Sequence, residues 1–530
     1  MTRALGRQGA MLAATVLAWV PAAAVAATVN LGNGTEPESL DIHRSSGVSE
    51  ANIQRDMFEG LVAQGPDASL VPGAAESWTV SDDGLVYTFT LRQDGRWSNG
   101  DPVTAEDFVY ALRRGLDPAT AADYAFILYP IENAEAVTRG EIADFDELGV
   151  KALDDHTLEI TLKAPTPYFL DMLTHQMGYP LHRASIEQYG EAWTRPGNMV
   201  SNGAYVLSEW VPQDHITLTK NPEFHAAEEV QIDEVLYFPT EDAGQELMRY
   251  RAGELDVTYD IPADQIDWIQ ANLPDEYRNY PYLGTYYYGI NTTIAPFKDN
   301  KALRQALSLA IDRELLTAKI TRAGELPAYS FIPPGVMGYE QQAADFAAMS
   351  KEERIAKAQA LYAEAGYSPD NPLQVEILYN TSDNHKKIAI AVAAMWKQAL
   401  GVQATLRNEE WKVYLASRDE KNFEVVRASW IGDYNDANTF LELFLSDAGP
   451  MNAPGFNNAR FDELVRAAAF ETDVATRAEM LEEAERVFMD ETAVIPIYHY
   501  TTQHMVKPYV KGWANNIKDV HPTRYLSLDQ

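Results

Sequence analysis

The apolar residues of this chain keep changing their spacing, and that change constrains its fold most. Leu85, Tyr87, Phe89 and Leu91 alternate after the turn Ser81-Asp82-Asp83-Gly84, which predicts a hairpin strand with one buried face. Thr157 to Leu162 alternates again behind Asp154-Asp155, and Thr28-Val29-Asn30-Leu31 reads as a short strand ending at Gly32 and Gly34. Further on, Leu303, Ala306, Leu307, Ala310 and Ile311 fall at helical spacing, with Asp299 as the predicted cap. Ser350 and Glu353 predict a capping box for a helix that stops at Gly366. Leu373, Val375, Ile377 and Tyr379 return to a period of two, and Lys386 to Leu400 to a helix stopped by Gly401. Strands alternating with helices in this way imply an α/β architecture. No internal repeat and no low-complexity linker interrupts the pattern, so the domains are expected to pack closely. At 530 residues the chain exceeds one core and suggests roughly three or four domains.

Charge and composition narrow the function. The net charge is −36, which repels phosphate backbones and anionic membrane surfaces, so nucleic acid is not an expected partner. There is no cysteine, which removes disulfides, thiolate catalysis, Cys-ligated metals and a lipoprotein anchor. The chain begins with a leader pattern: Arg3 and Arg7, an apolar run from Ala10 to Val20, Pro21, then Ala24-Val25-Ala26 as a small-x-small cleavage site. Residues 1–26 are therefore expected to be a signal peptide, and the product to be free in an exported compartment such as a Gram-negative periplasm. The 28 Tyr and 10 Trp can furnish either large cores or a recognition surface, and composition alone favours the cores.

Catalytic motifs are missing. The sequence holds no G-x-S-x-G elbow, P-loop, G-x-G-x-x-G or H-E-x-x-H. The ten His lack ligand spacing. His499 and His504 are five apart in a predicted strand-to-loop region and read as satisfied or solvated rather than metal-bound. Asp82-Asp83, Asp154-Asp155 and Glu409-Glu410 have the composition of glycosidase pairs, but adjacent strand residues face opposite ways and read as turns or solvated edges. Neither a cofactor nor a metal is expected.

A series of motifs carries a resemblance. It runs from Phe58-Glu59-Gly60-Leu61 through Ala75-Glu76-Ser77-Trp78, Tyr87-Thr88-Phe89-Thr90-Leu91-Arg92, Trp97-Ser98-Asn99-Gly100 and Pro102-Val103-Thr104-Ala105-Glu106-Asp107-Phe108. It continues with Asn202-Gly203-Ala204-Tyr205, Tyr286-Tyr287-Tyr288, Asn380-Thr381-Ser382-Asp383 and Asp433-Tyr434-Asn435. Together these resemble the large solute-binding proteins of ATP-driven peptide and nickel importers, in their oligopeptide-binding branch. The resemblance implies a two-lobed, hinged α/β fold with an extra inserted domain. Lobe I would comprise 27–58, 183–283 and 501–530, the inserted domain 59–182, and lobe II 284–500, with hinge crossovers near Gly284 and Tyr500. It implies a monomer that carries short peptides to the permease subunits of an ABC transporter and performs no chemistry on them.

The resemblance also assigns a site. Asp433 matches the aspartate that holds the peptide ammonium, within Arg427-Ala428-Ser429-Trp430-Ile431-Gly432-Asp433. Trp411 and Trp430 match pocket positions, and Tyr124 and Tyr500 join them. Arg427, Arg418 and His385 match places from which the peptide carboxylate is reached, the choice depending on peptide length. Ser429 would offer backbone groups to the peptide. Ser46 and Val48 also fall along the implied cleft; Ser46 stands where the best-known members have an acid, so a bias toward basic side chains is expected to weaken. The alternatives keep the fold and change the ligand to a murein peptide, a dipeptide, nickel, heme or an oligosaccharide. A rival of another class is an exported hydrolase.

Overall fold

The computed structural model describes residues 1–2 and 26–529; the expected leader falls almost wholly outside them. Three sheets organise the chain. The first orders Thr28–Gly32, Glu234–Phe238, His215–Lys220 and Tyr205–Val211, its first pair parallel and the others antiparallel. The second is an antiparallel four-stranded sheet ordered Ala75–Val80, Val86–Leu91, Thr157–Thr161 and Val150–Asp154. Its hairpin turns where expected, with Gly84 at φ +70° and Tyr87, Phe89 and Leu91 buried.

The third sheet is mixed and carries the site. Its order is Leu326–Pro327, Val494–Met505, Tyr277–Ile290, Val425–Ile431, Gln374–Asn380 and Gln403–Glu409. The last two pairings are parallel. Parallel neighbours need crossover helices, and Asp383–Leu400 provides one between Gln374–Asn380 and Gln403–Glu409. One face of the sheet packs on Leu303, Ala306, Leu307, Val392 and Trp396; the other packs on Phe331, Phe440, Phe444, Phe461 and Phe488. Leu373, Val375, Ile377 and Tyr379 share the first of these faces and are all buried there, while Leu378 is buried on the other.

Two long strands join the first sheet's neighbourhood to the third sheet. Tyr277–Ile290 and Val494–Met505 pair from Tyr277↔Met505 to Gly289↔Val494, with register shifts between Pro281 and Thr285 and between Tyr286 and Tyr287. At one end Val257 bridges both Leu31 and Val506. At the shift a Cβ on Gly284 would lie 2.3 Å from Cδ1 of Ile431 and 3.2 Å from the Trp430 carbonyl oxygen, so glycine eases the close approach of the strands there.

Several expectations move by a residue or more. Asn300, not Asp299, caps the helix Lys301–Leu309: its side chain accepts from the Leu303 N–H, while Asp299 sits at φ +55° in the preceding turn. The helix expected from Lys386 begins at Asp383, capped by Ser382. Its end at Gly401, φ +79°, and the Ser350–Glu353 capping box stand as expected. His499 and His504 both lie inside the strand Val494–Met505 rather than at its exit. Among the described residues, no helix is long and apolar enough to cross a membrane.

Candidate ligand-binding site

The strand Val425–Ile431 builds the site. On one side it pairs along its length with Tyr277–Ile290. On the other it pairs with Gln374–Asn380 only at Val425 and Val426. Among the described residues no strand pairs with 427–431 on that side, although the Arg427 carbonyl accepts from the Tyr414 hydroxyl. Alternation along the strand divides its side chains. Ala428 and Trp430 pack toward the Phe-rich core, where the Trp430 indole N–H donates to Thr439 Oγ1 at 3.3 Å. Arg427 and Ser429 face the other way, into a cluster of tyrosines.

Arg427 is buried, and no carboxylate pairs with it. Its guanidinium donates to Asn380 Oδ1 (3.3 Å), Ser429 Oγ (3.1 Å) and the Tyr500 hydroxyl (3.1 Å), all neutral. It stands 4.7 Å over the Tyr286 ring, which stacks on Tyr498 at 4.7 Å. Arg427 Nε and His385 Nδ1 are buried without partners. Burial, then the charge of Arg427, pushes His385 down to about 3, so it is neutral at physiological pH. Arg418 pairs with Asp419 at 3.3 Å on the helix Trp411–Asp419 and lies within electrostatic range of Tyr287 and Tyr414. The Trp411 side chain lies outside the described residues.

Asp433 follows at the other end of the strand. Its backbone N–H donates to Thr439 Oγ1, but its carboxylate has neither a cation nor a hydrogen-bond donor among the described residues. Burial, then the charge of Glu442, pushes it up to about 8. Glu442, raised to about 7 chiefly by burial, has both oxygens occupied by the Tyr434 hydroxyl and the Asn438 amide. Tyr124 lies within electrostatic range of Asp433 and stacks on His175 at 4.9 Å.

A clasp closes the cleft beside Asp433. The Asn435 N–H donates to Asp171 Oδ2 at 2.6 Å, and Lys518 pairs with the same carboxylate. Tyr168 stacks on Tyr434 at 4.7 Å with the rings 2° apart, and Arg477, bidentate to Asp436, stands 5.1 Å from the Tyr168 ring. Tyr168 and Asp171 come from the segment that carries the second sheet.

Thus the structure gathers Arg427, Ser429, Tyr500 and His385 around Tyr286, sets Tyr124 within electrostatic range of Asp433, and turns Trp430 toward the Phe-rich core. Ser46 and Val48 are exposed around the start of the helix Val48–Met57, and no hydrogen bond or ion pair ties them to this cluster. Sequence reasoning missed Glu442, Thr439 and the Asp171 clasp, whose partners are hundreds of residues apart. It also missed His504, Asp519 and His521, whose ligating atoms lie within 4.8 Å of one another. They form a closed trio: both imidazoles meet Asp519, at 2.9 and 3.0 Å, and the other nitrogen of His504 meets the Thr258 carbonyl. Burial opposes charge on His504, but Asp519 outweighs it and lifts His504 to about 9. His499 is instead held neutral, at about 3, by burial.

The sequence matches the family described as bacterial extracellular solute-binding proteins, family 5, over residues 69–452. The chain belongs to this family. It is 41% identical to the periplasmic oligopeptide-binding protein OppA of Escherichia coli over 490 residues, covering 92% of this chain and 90% of that one. The structure of the E. coli murein tripeptide-binding protein MppA superposes with a TM-score of 0.86 at 40% identity, covering 96% of this chain and 99% of that one. Haemophilus influenzae OppA in complex with the peptide RPPGFSPFR superposes at 0.84 with 38% identity, covering 95% and 99%. The fold is therefore the two-lobed α/β fold of these proteins.

The raised Asp433 has a consequence for stability. The unfolded chain ionises this carboxyl near 3.8, the folded ligand-free protein near 8. Below 3.8 both states hold the proton; between 3.8 and about 8 only the folded state does, so stability falls as pH rises across that window and levels off above 8. Asp433→Asn carries no charge, so ligand-free protein with this change is expected to be more stable than wild type at pH 8.5, by on the order of 2–4 kcal/mol, and about equal at pH 4. Denaturant titration at both pH values checks this; a constant difference would contradict it.

Proposed function

We propose that this protein captures short peptides in the cleft between its lobes and delivers them unaltered to the permease subunits of an ABC importer. One observation supports it most: among the described residues Asp433 has no cation and Arg427 no anion, and they stand at opposite ends of a strand edge with which no other strand pairs. Both would be costly if left so. A peptide supplies the missing ammonium, the missing carboxylate and a backbone to pair with the edge. Six residues of extended strand span roughly 20 Å, and the reach of Arg427 shortens that gap to the length of a few peptide residues. With its ammonium at Asp433, the peptide runs antiparallel to Val425–Ile431. Arg418 and His385 are reserve partners for carboxylates of other peptide lengths.

In this reading lobe I is 27–58, 183–283 and 501–530, the inserted domain 59–182 and lobe II 284–500. The clasp from Asp171 and Tyr168 then holds the closed state, and the register shifts near Gly284 mark the hinge. A murein peptide also carries both termini and fits the same charges. Heme or an oligosaccharide would leave Asp433 unmatched, and a nickel ion would leave the Arg427 cation unmatched. A hydrolase would need a second free carboxylate, and Glu442 is occupied.

The protein acts as a monomer in the periplasm after cleavage behind Ala26. The Ala27 N–H lies 2.8 Å from Asp233 Oδ2, so the new ammonium would gain a carboxylate partner. Intact-mass analysis of exported protein is expected to show a chain beginning at Ala27; a retained Met1 would refute the processing.

Calorimetry with Ala-Ala-Ala and with a glucose oligosaccharide tests the function. The peptide is expected to bind and the sugar not. Small-angle scattering should show compaction on peptide binding, because closure requires differential affinity for the closed state. Stability should rise by about 2.7 kcal/mol at a peptide concentration 100 times Kd. Binding of the sugar instead of the peptide would overturn the proposal.

A further inference from the structure

A second cationic crevice lies beside the cleft, lined by Arg55, Tyr237, Tyr259, Trp513, Asp519 and His521. Arg55 projects from the helix Val48–Met57. Among the described residues its guanidinium makes a single hydrogen bond, from Nη1 to Asn52 Oδ1 at 3.3 Å, and no carboxylate pairs with it. The adjacent Asp56 is committed elsewhere, accepting from the Tyr237 hydroxyl at 2.8 Å and the Thr523 N–H at 2.9 Å. Asp519 is committed to His504 and His521, and nearby Lys518 is paired with Asp171. Two N–H groups of the crevice, Arg55 Nε and Trp513 Nε1, are buried without an acceptor. Buried donors left unpaired cost about 1–3 kcal/mol each. The crevice therefore concentrates donors and a positive charge, while its acids are already occupied.

Shared electrostatic neighbours place the crevice near the proposed peptide site. Tyr282 lies within electrostatic range of Arg55, Tyr259 and Asp519 on one side and of Tyr500 on the other, and Tyr500 accepts from Arg427. His175, in range of Arg55, stacks on Tyr124, which faces Asp433. Whatever enters from a peptide held between Asp433 and Arg427 is a side chain, since both termini are already engaged. The group that matches a guanidinium and an indole N–H is a carboxylate, which accepts several hydrogen bonds and balances the charge.

We infer that this crevice is an anion-holding subsite, with Arg55 and Trp513 as its donors, that receives the carboxylate of an acidic side chain on the bound peptide. The inference rests on the peptide reading above. It makes the protein selective: among peptides of equal length, those with Glu or Asp at the position facing Arg55 bind best.

Calorimetry on Ala-Ala-Ala and its single Glu, Gln and Lys variants at each position tests it. At one position Glu is expected to bind about tenfold tighter than Gln, and Lys more weakly than Gln. Arg55→Gln should bring the Glu-to-Gln ratio at that position to about one, while Ala-Ala-Ala still binds within about twofold of wild type. Arg55→Lys should keep part of the preference, and Trp513→Phe should reduce it. A ratio near one at every position in wild type would overturn the subsite without touching peptide capture, and so would an unchanged ratio in Arg55→Gln. If wild type binds no tripeptide at all, the peptide reading fails and the subsite with it.

Discussion

Asp433→Asn is expected to remove most tripeptide binding, by two to four decades, while the fold stays intact. The carboxylate holds no other group of the protein in place: only its backbone N–H is bonded, to Thr439. What it does hold, in the proposed complex, is an ammonium cut off from water. Removing one member of such a buried pair typically costs about 3–5 kcal/mol, because the surviving charge is stranded. That converts to the stated loss in affinity. The same change can be made on the ligand, since acetylating the peptide amine removes its charge. Acetylated peptide should therefore bind wild type poorly. The two losses should not add, because each deletes the same interaction. Calorimetry on the four combinations completes the cycle. Additive losses, or equal binding of free tripeptide by Asp433→Asn and wild type, would show that the ammonium lies elsewhere.

The pH dependence of the wild type should carry the same signature. With Asp433 near 8 in the free protein, binding an ammonium at neutral pH forces a proton off the carboxyl. Affinity is then lost as pH falls below about 8, and also as it rises above about 8, because the peptide amine itself deprotonates near 7.7–8.0. The raised carboxyl is thus the mark of a site that costs stability when empty.

Much of the fold was legible because it is written in local spacing. The hairpin around Gly84, the Ser350 capping box and the strand at Leu373–Tyr379 depend on neighbours within a few residues. The cap at Lys301–Leu309 misled because Asp299 and Asn300 are both good caps, and only the backbone decides between them: Asp299 takes positive φ, leaving Asn300 at the helix entrance. The cleft was legible only through motifs, not through spacing. Nothing local in Arg427-Ala428-Ser429 says that Tyr286, Tyr498 and Tyr500 will surround the guanidinium. That follows from pairing Tyr277–Ile290 with both Val425–Ile431 and Val494–Met505, strands separated by up to two hundred residues. The same distance hid Asp171 from Asn435 and Thr258 from His504.

Arg427→Gln is expected to weaken peptides of one length by two or more decades and to spare others. The guanidinium is enclosed by neutral oxygens and the Tyr286 ring, so in the free protein it is a buried charge without a counterion. Its removal deletes about 1 kcal/mol of cation–π attraction and a few hydrogen bonds, but also relieves an uncompensated charge. The folded protein should therefore change little in stability. A bound peptide whose carboxylate reaches Arg427 has no such relief: its anion would be left buried and unpaired, at about 3–5 kcal/mol. Peptides one residue longer or shorter place their carboxylate nearer Arg418 or the neutral His385, and should lose far less. Arg427→Lys should restore charge but not the planar, forked geometry, and so rescue only partly. Calorimetry with di- to pentapeptides, free and C-terminally amidated, separates the outcomes. The sensitive length should lose its dependence on Arg427 when amidated. A small loss shared equally by all lengths, unaffected by amidation, would make Arg427 a prop for the tyrosine cluster and place the carboxylate elsewhere in the cleft.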